Sequence, residues 1–419
     1  MHTPSCGGRR TPYAGVWLSA LVGAAGALAV AATAPPQIAA QGAASQAVAI
    51  PFELATRHVI VKVTVNNSRP LSFVLDTGAS VAMIRTDVAR ELGLPLYGSA
   101  RIGGAGPGTQ EGSLVKGATW SLVGFDGFSQ PLALALPFPE LPAAMGRDTH
   151  GIIGGEFIKQ FVLELDYQSR IIRLHNRQTF AYAGPGETIP IEFNRDGHPV
   201  LEAAVTTMDG RSIVRRFHLD IGSGRALVLH SPFVAEQNLL GPHSTTIPAI
   251  GMRGAGGRTS GRIGRVAALR IGSHTIDRPI TVFSQDKAGA FANASLAGNI
   301  GAEIVSRFRT FFDYGRRRII LEPSSIFGEP FERAFSGLSL RAEGADYRTF
   351  RVREVLEQSA ASEAGIREGD VITAINGTPA SELTLSTINE MLEKPVAYKV
   401  TLRRDDETVS VALTPRQLI

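Results

Sequence analysis

One short pattern is written twice in this chain, and it limits the folds available more than any other feature. Residues 73–84 read Phe-Val-Leu-Asp-Thr-Gly-Ala-Ser-Val-Ala-Met-Ile, and residues 217–229 read Phe-His-Leu-Asp-Ile-Gly-Ser-Gly-Arg-Ala-Leu-Val-Leu. Each copy brings an apolar strand to an aspartate at a glycine turn, then resumes an apolar run. Further landmarks follow both copies in one order. A glycine-dense segment comes first, at residues 101–112 and again at 250–257. Gly154-x-Glu156 is then matched by Gly301-x-Glu303, and Asp166-Tyr167 by Asp313-Tyr314. Four landmarks in the same order predict a duplicated lobe rather than one large domain. The strand-like alternation of residues 58–65, the many glycines and the few aromatics predict that the lobes are mainly β.

A carboxylate between apolar runs is costly to bury unless something uses it. Two of them brought together across an approximate two-fold cannot both ionise cheaply. They share one proton, and one residue type then supplies both an acid and a base. Asp76 and Asp220 are therefore the candidate catalytic pair. The ionised member could take a proton from water while the other donates to a carbonyl oxygen, which hydrolyses an amide without a metal or a covalent intermediate. Gly78 and Gly222 permit the tight turns and bring backbone N–H groups to the carboxylates. Thr77 can add a hydroxyl hydrogen bond across the lobe boundary, and Ile221 stands at the matching place in the second copy.

Other chemistries find little support. The net charge of +4 over 419 residues, with two of the arginines in the leader, is no footprint of a nucleic-acid binder. The densest basic cluster, Arg316-Arg317-Arg318, reads as a solvated hairpin turn. The only cysteine, Cys6, precedes the first apolar run, so disulfides, thiol catalysis and thiolate metal sites are excluded beyond the leader. The glycine-dense segments lack the Gly-Lys-Ser/Thr of a phosphate cradle, and the histidines are scattered without a metal-binding spacing. No cofactor and no metal are expected. Residues 1–40 have the layout of an export signal, with Arg9-Arg10, an uncharged stretch over 13–34 and small residues at its end. The expected location is the periplasm, and an uncleaved membrane tether through residues 13–34 is the alternative.

Leu75-Asp76-Thr77-Gly78-Ala79-Ser80 with the later Gly151-Ile152-Ile153-Gly154 resembles the retropepsin-like aspartic peptidases. Asp220-x-Gly222-Ser223 with Gly298-Asn299-Ile300-Gly301 resembles a fused partner lobe. The resemblance implies a cleft over Asp76 and Asp220, with Ser223 among the supporting residues, and two flaps closing on an extended peptide or protein substrate. The flap residues would be Ile102, Gly103, Gly104, Ala105 and Gly106 in one lobe and Ile250, Gly251, Gly254 and Gly256 in the other. Ile221 departs from the pattern by removing one of two symmetric hydroxyl contacts, and polar Asn299 stands where the first lobe has Ile152. The C-terminal segment, with Ala364-Gly-Ile-Arg-Glu-Gly-Asp370, is similar to the PDZ domains of bacterial proteases. That likeness implies a strand at Gly337, Leu338, Ser339 and Leu340 that binds a protein C-terminus by strand addition. The expected organisation is a leader over 1–40, lobes over 48–185 and 186–325, and a small α+β PDZ domain over 335–415. The expected activity is aspartic endopeptidase. Two alternatives stay open, a peptide-binding scaffold that kept the cleft but lost turnover and a homodimer of the first lobe that uses only Asp76.

Overall fold

The computed structural model describes residues 47–241 and 244–419; the leader and the candidate tether lie outside them. The fold is mainly β, and the duplication is complete at the level of topology. In the first lobe the main sheet runs in the order Leu96–Ile102, Gln110–Lys116, Leu132–Leu136, Ala82–Arg85, Gly151–Ile153, Leu71–Leu75, His58–Val65, Trp120–Leu122, Phe125–Phe128. The second lobe repeats that order with Ile247–Pro248, Gly261–Arg265, Ile280–Ser284, Leu227–Leu229, Gly298–Gly301, Ser212–Asp220, Pro199–Thr206, Ala268–Ile271, His274–Asp277.

The strand that delivers each aspartate is central, which explains its unbroken apolar run. Leu71–Leu75 is buried at every residue. It pairs in parallel with Gly151–Ile153 and antiparallel with His58–Val65, so both edges are bonded, and burial of alternate residues alike shows that both faces are covered. Phe73 meets Trp120 edge to face at 5.8 Å beneath it. In the second lobe Phe217, His218 and Leu219 hold the equivalent place, again beside a parallel partner, Gly298–Gly301.

The lobes are not separate barrels on a string. A six-stranded sheet joins them in the order Val48–Pro51, Ile171–His175, Val162–Asp166, Phe308–Asp313, Arg318–Pro323, Glu187–Pro190. Its central seam is antiparallel, from Leu163 opposite Phe312 to Asp166 opposite Arg309. The Asp-Tyr landmarks of the two halves therefore end strands of one shared sheet. The basic cluster is a hairpin turn with Arg316 and Arg317 exposed, but two of its charges also have a buried partner. Arg317 does occupy the left-handed turn position, but Arg318 Nε and Arg316 Nη1 reach Asp313 Oδ2 at 2.8 and 3.1 Å, and Asp313 is fully buried. Two of the three charges answer a buried carboxylate, which would be expensive to keep ionised alone.

The C-terminal domain has its own core around Phe350, Ile375, Ile388, Val400 and Leu402. Its sheet runs Leu338–Glu343, Thr349–Val355, Val371–Ile375, Tyr398–Arg404, Glu407–Leu413. The helix Leu385–Leu392 lays Leu385, Ile388 and Leu392 on that core and is capped by Thr384, whose hydroxyl accepts from Thr387 N at 3.0 Å. The segment before this domain is strapped down rather than loose. Arg333 is buried and pairs with Glu303 of the second lobe and Glu393 at the end of that helix.

Candidate active site

The two aspartates meet at the floor of the cleft between the lobes. Their carboxyl groups lie close together on either side of Gly78. A Cβ placed on Gly78 would lie 2.9 Å from Asp220 Oδ1 and 3.0 Å from Asp76 Oδ1, so one small volume touches both inner oxygens. That crowding is why glycine is required there, and Gly222 abuts the Asp76 carboxyl group in the same way. Gly78 N donates to Asp76 Oδ1 at 2.6 Å. Burial, followed by the charge of Asp220, pushes the Asp76 carboxyl well above the ordinary carboxylate range, against the pull of the backbone at Gly78 and Gly222.

Thr77 reaches across the lobe boundary. Its hydroxyl donates to Leu219 O at 2.6 Å and accepts from Ile221 N at 3.0 Å, and the residue is 1 % exposed. Ile221 returns no such bond and lies in the apolar core instead. Ser223 joins the turn through its backbone, its N–H donating to Asp220 O at 3.1 Å. The outer oxygen of Asp220 is served by a residue from another strand. Asn299 Nδ2 donates to Asp220 Oδ2 at 2.7 Å, and Asn299 Oδ1 lies 2.8 Å from His230 Nε2. An amide oxygen only accepts, so His230 Nε2 carries the hydrogen, and the amide orientation is fixed from both ends. Asn299 and His230 are both buried. Ile152, at the corresponding place in the first lobe, offers Asp76 no such donor.

The histidines look like background in the sequence, yet two of them lie at the lobe boundary in pseudo-equivalent positions, just before or at the start of the first long strand of each lobe. His58 Nε2 lies 3.1 Å from Gly222 O, and His198 Nε2 lies 3.0 Å from Ser80 Oγ. His198 also stacks on His218, which is two residues from Asp220. Sequence spacing does not reveal the correspondence, because His58 lies 18 residues before Asp76 and His198 lies 22 before Asp220; it appears only once each strand is paired with the one that carries the aspartate.

The glycine-dense segments of the two lobes meet tip to tip. Gly108 N donates to Gly256 O and Gly256 N to Ala105 O, both at 2.7 Å. Gly104 O accepts from Ala290 N at 2.9 Å, and Gln110 Nε2 donates to Ala255 O at 2.9 Å. Gly103, Gly104, Ala105 and Gly106 thus belong to one tip and Gly254 and Gly256 to the other. Ile102 lies lower and packs beside Leu134, Leu136 and Phe138. Gly251 is placed elsewhere than over the dyad, as its N–H donates to Glu354 Oε2 of the C-terminal domain at 3.2 Å. Ile250 immediately precedes that contact. In the C-terminal domain Leu338, Ser339 and Leu340 form the start of an edge strand after Gly337, and Leu338 N donates to Ser336 Oγ at 3.2 Å.

Comparison with known proteins finds likenesses for two parts of the sequence. Residues 61–157 match the family model described as aspartyl protease, and residues 325–403 match that of the PDZ domain. The sequence is 32 % identical over 65 residues to serine protease HTRA1 of Xenopus laevis, a stretch that spans 16 % of this protein and 14 % of that one. Among solved structures, the aspartic proteinase from Irpex lacteus is 12 % identical, with a TM-score of 0.41, over 68 % of this protein and 99 % of that one. The HtrA3 PDZ domain bound to a phage-derived ligand is 22 % identical, with a TM-score of 0.19, over 20 % of this protein and 86 % of that one.

Proposed function

We propose that this protein, an aspartyl-protease-like unit followed by a PDZ domain, is an aspartic endopeptidase that hydrolyses peptide bonds with water activated between Asp76 and Asp220. The observation that carries the reading is the close approach of the two carboxyl groups. Groups that close share a proton, and only one of them is ionised. Their surroundings differ enough to assign the roles. Asp220 Oδ2 is held by a side-chain donor, Asn299, while burial favours the neutral form of Asp76. Asp220 then takes the proton from water, and Asp76 donates to the carbonyl oxygen. The flap tips cover the site, exclude bulk water and hold an extended substrate. The PDZ domain supplies binding for a protein or peptide partner, in particular its free C-terminus, and the leader supports export to the periplasm.

The reading is tested by following cleavage of unfolded proteins from acidic to neutral pH with wild type, Asp76→Asn and Asp220→Asn. Loss of cleavage in both variants supports it. Unchanged cleavage in either excludes a shared dyad, and absence of cleavage in wild type leaves a peptide-binding role. The support of Asp220 has its own test. Replacing Asn299 by Ala removes a hydrogen bond to a charged group, worth about 1.5–3 kcal/mol. kcat/KM should then fall on the order of 10-fold or more, with the fold unchanged. A kcat/KM equal to that of wild type would remove Asn299 from the support of Asp220.

A further inference from the structure

The PDZ domain touches both a flap and the first lobe, and the surface it uses is the one where a peptide would dock. Its strand Leu338–Glu343 ends the sheet and is paired on one side only, with Thr349–Val355. Packed on that strand is a short helix of the first lobe, Leu141–Met145. Gly146, which ends this helix, abuts Leu385, the first residue of the PDZ helix Leu385–Leu392. The first-lobe helix therefore contacts both walls between which an added peptide strand would lie. Glu140 anchors it to Arg353 and, at 3.9 Å, to Arg341. Burial raises the Glu140 carboxyl, but Arg353 and Arg341 hold it below the usual range, so the anchor stays charged. Nearby, Thr56 N donates to Ser386 Oγ at 2.8 Å, and Arg57 pairs with Glu393.

The next contact of the same domain is with the second flap. Glu354 Oε2 accepts from Gly251 N at 3.2 Å and from Arg258 Nη2 at 3.0 Å, one just before and one at the end of the small hairpin Arg253–Gly254 and Gly257–Arg258. Ser339 packs against Gly251. That hairpin carries the tip bonded to the first flap. Glu354 thus holds the segment that carries one of the two joined tips.

We infer that the PDZ domain is a latch on the cleft: an extended peptide with a free carboxylate and an apolar last residue displaces the helix Leu141–Met145 from the strand Leu338–Glu343, and its docking releases the second flap from Glu354. The inference rests on the peptidase reading of the cleft for its consequence, but not for its mechanics. The half-buried Leu338 and Leu340 on the strand favour an apolar end on the incoming peptide, and strand addition supplies the backbone bonds that the first-lobe helix does not make there. Coupling of this kind is reciprocal, so opening the flaps tightens peptide binding by the same factor by which peptide opens the flaps.

The test uses the full-length protein and a fluorescent decapeptide ending in Val-Val with a free carboxylate, with the C-terminal amide as control. In the Asp220→Asn background, which spares the probe, binding should raise hydrogen exchange at residues 250–258 and 138–146. Glu140→Ala, which loosens the competing helix, should tighten binding on the order of 5- to 10-fold, within the usual range of such coupling. In the wild type the peptide should speed cleavage of an unfolded protein. Glu354→Gln should raise the unstimulated rate and abolish the stimulation. Binding that leaves exchange at 250–258 unchanged overturns the latch, as does a failure of the free-carboxylate peptide to bind either wild type or Glu140→Ala. Should wild type cleave nothing, the peptidase reading fails, while the exchange and affinity measurements still decide the latch.

Discussion

Replacing either aspartate by asparagine is expected to slow cleavage by about 10³-fold, the middle of the range for losing a positioned acid or base. Asparagine keeps the size of the side chain and its contacts with Gly78 and Gly222, so the turn survives while the proton chemistry does not. The two variants should nevertheless differ in stability. In the folded protein Asp76 is held above its unfolded value by burial and by Asp220. Its contribution to stability is fully present below the unfolded pKa, roughly 4, and is lost as pH rises through the folded value. Wild type should thus be less stable at pH 7.5 than at pH 5 on this account, and Asp76→Asn should remove that decline. Urea midpoints of both proteins at the two pH values check it. A wild-type decline that persists unchanged in Asp76→Asn would show that some other group carries the proton.

Thr77→Val should cost roughly 2–4 kcal/mol of stability, because the loss of one hydroxyl leaves two buried backbone groups, Leu219 C=O and Ile221 N–H, without partners. The shape of the residue hardly changes, so the penalty reports the bond rather than the packing. Thr77→Ser should recover most of it. The cost is large because the grip is one-sided: Ile221 gives nothing back, and Thr77 alone ties the two aspartate turns by a side-chain hydroxyl. A denaturation midpoint within experimental error of wild type would mean that the shared six-stranded sheet fixes the lobes without help from this contact.

The dyad was legible because it is written twice. A repeat of four landmarks survives the loss of individual residues such as the threonine replaced by Ile221, and each apolar run before an aspartate is the mark of a strand covered on both faces. The flap tips were legible for the same reason, although the same glycine-dense run also supplied Gly251, which lies against the PDZ domain instead. What the sequence hid was mostly pairing between distant surfaces. Leu163 and Phe312 read as buried strand residues whether their strands pair within a lobe or between lobes, so the shared sheet leaves no periodic trace. Arg316 and Arg318 read as a plain surface turn until Asp313 is seen beneath them. Asn299 was visible as a polar residue in an apolar motif, but its use depends on His230, 69 positions away along the sequence. Ion pairs such as Glu354 with Arg258 carry no pattern at all.

The seam at Leu163 to Asp166 has a consequence for any fragment of this protein. A piece ending near residue 185 would present Val162–Asp166, with its Val162, Leu163 and Leu165, as a bare sheet edge, with every backbone group that now faces Phe308–Asp313 left seeking a mate. The handiest template is the same edge on a sister molecule, so such a fragment should be recovered as a two-fold pair, or as larger aggregates, and not as a soluble single copy.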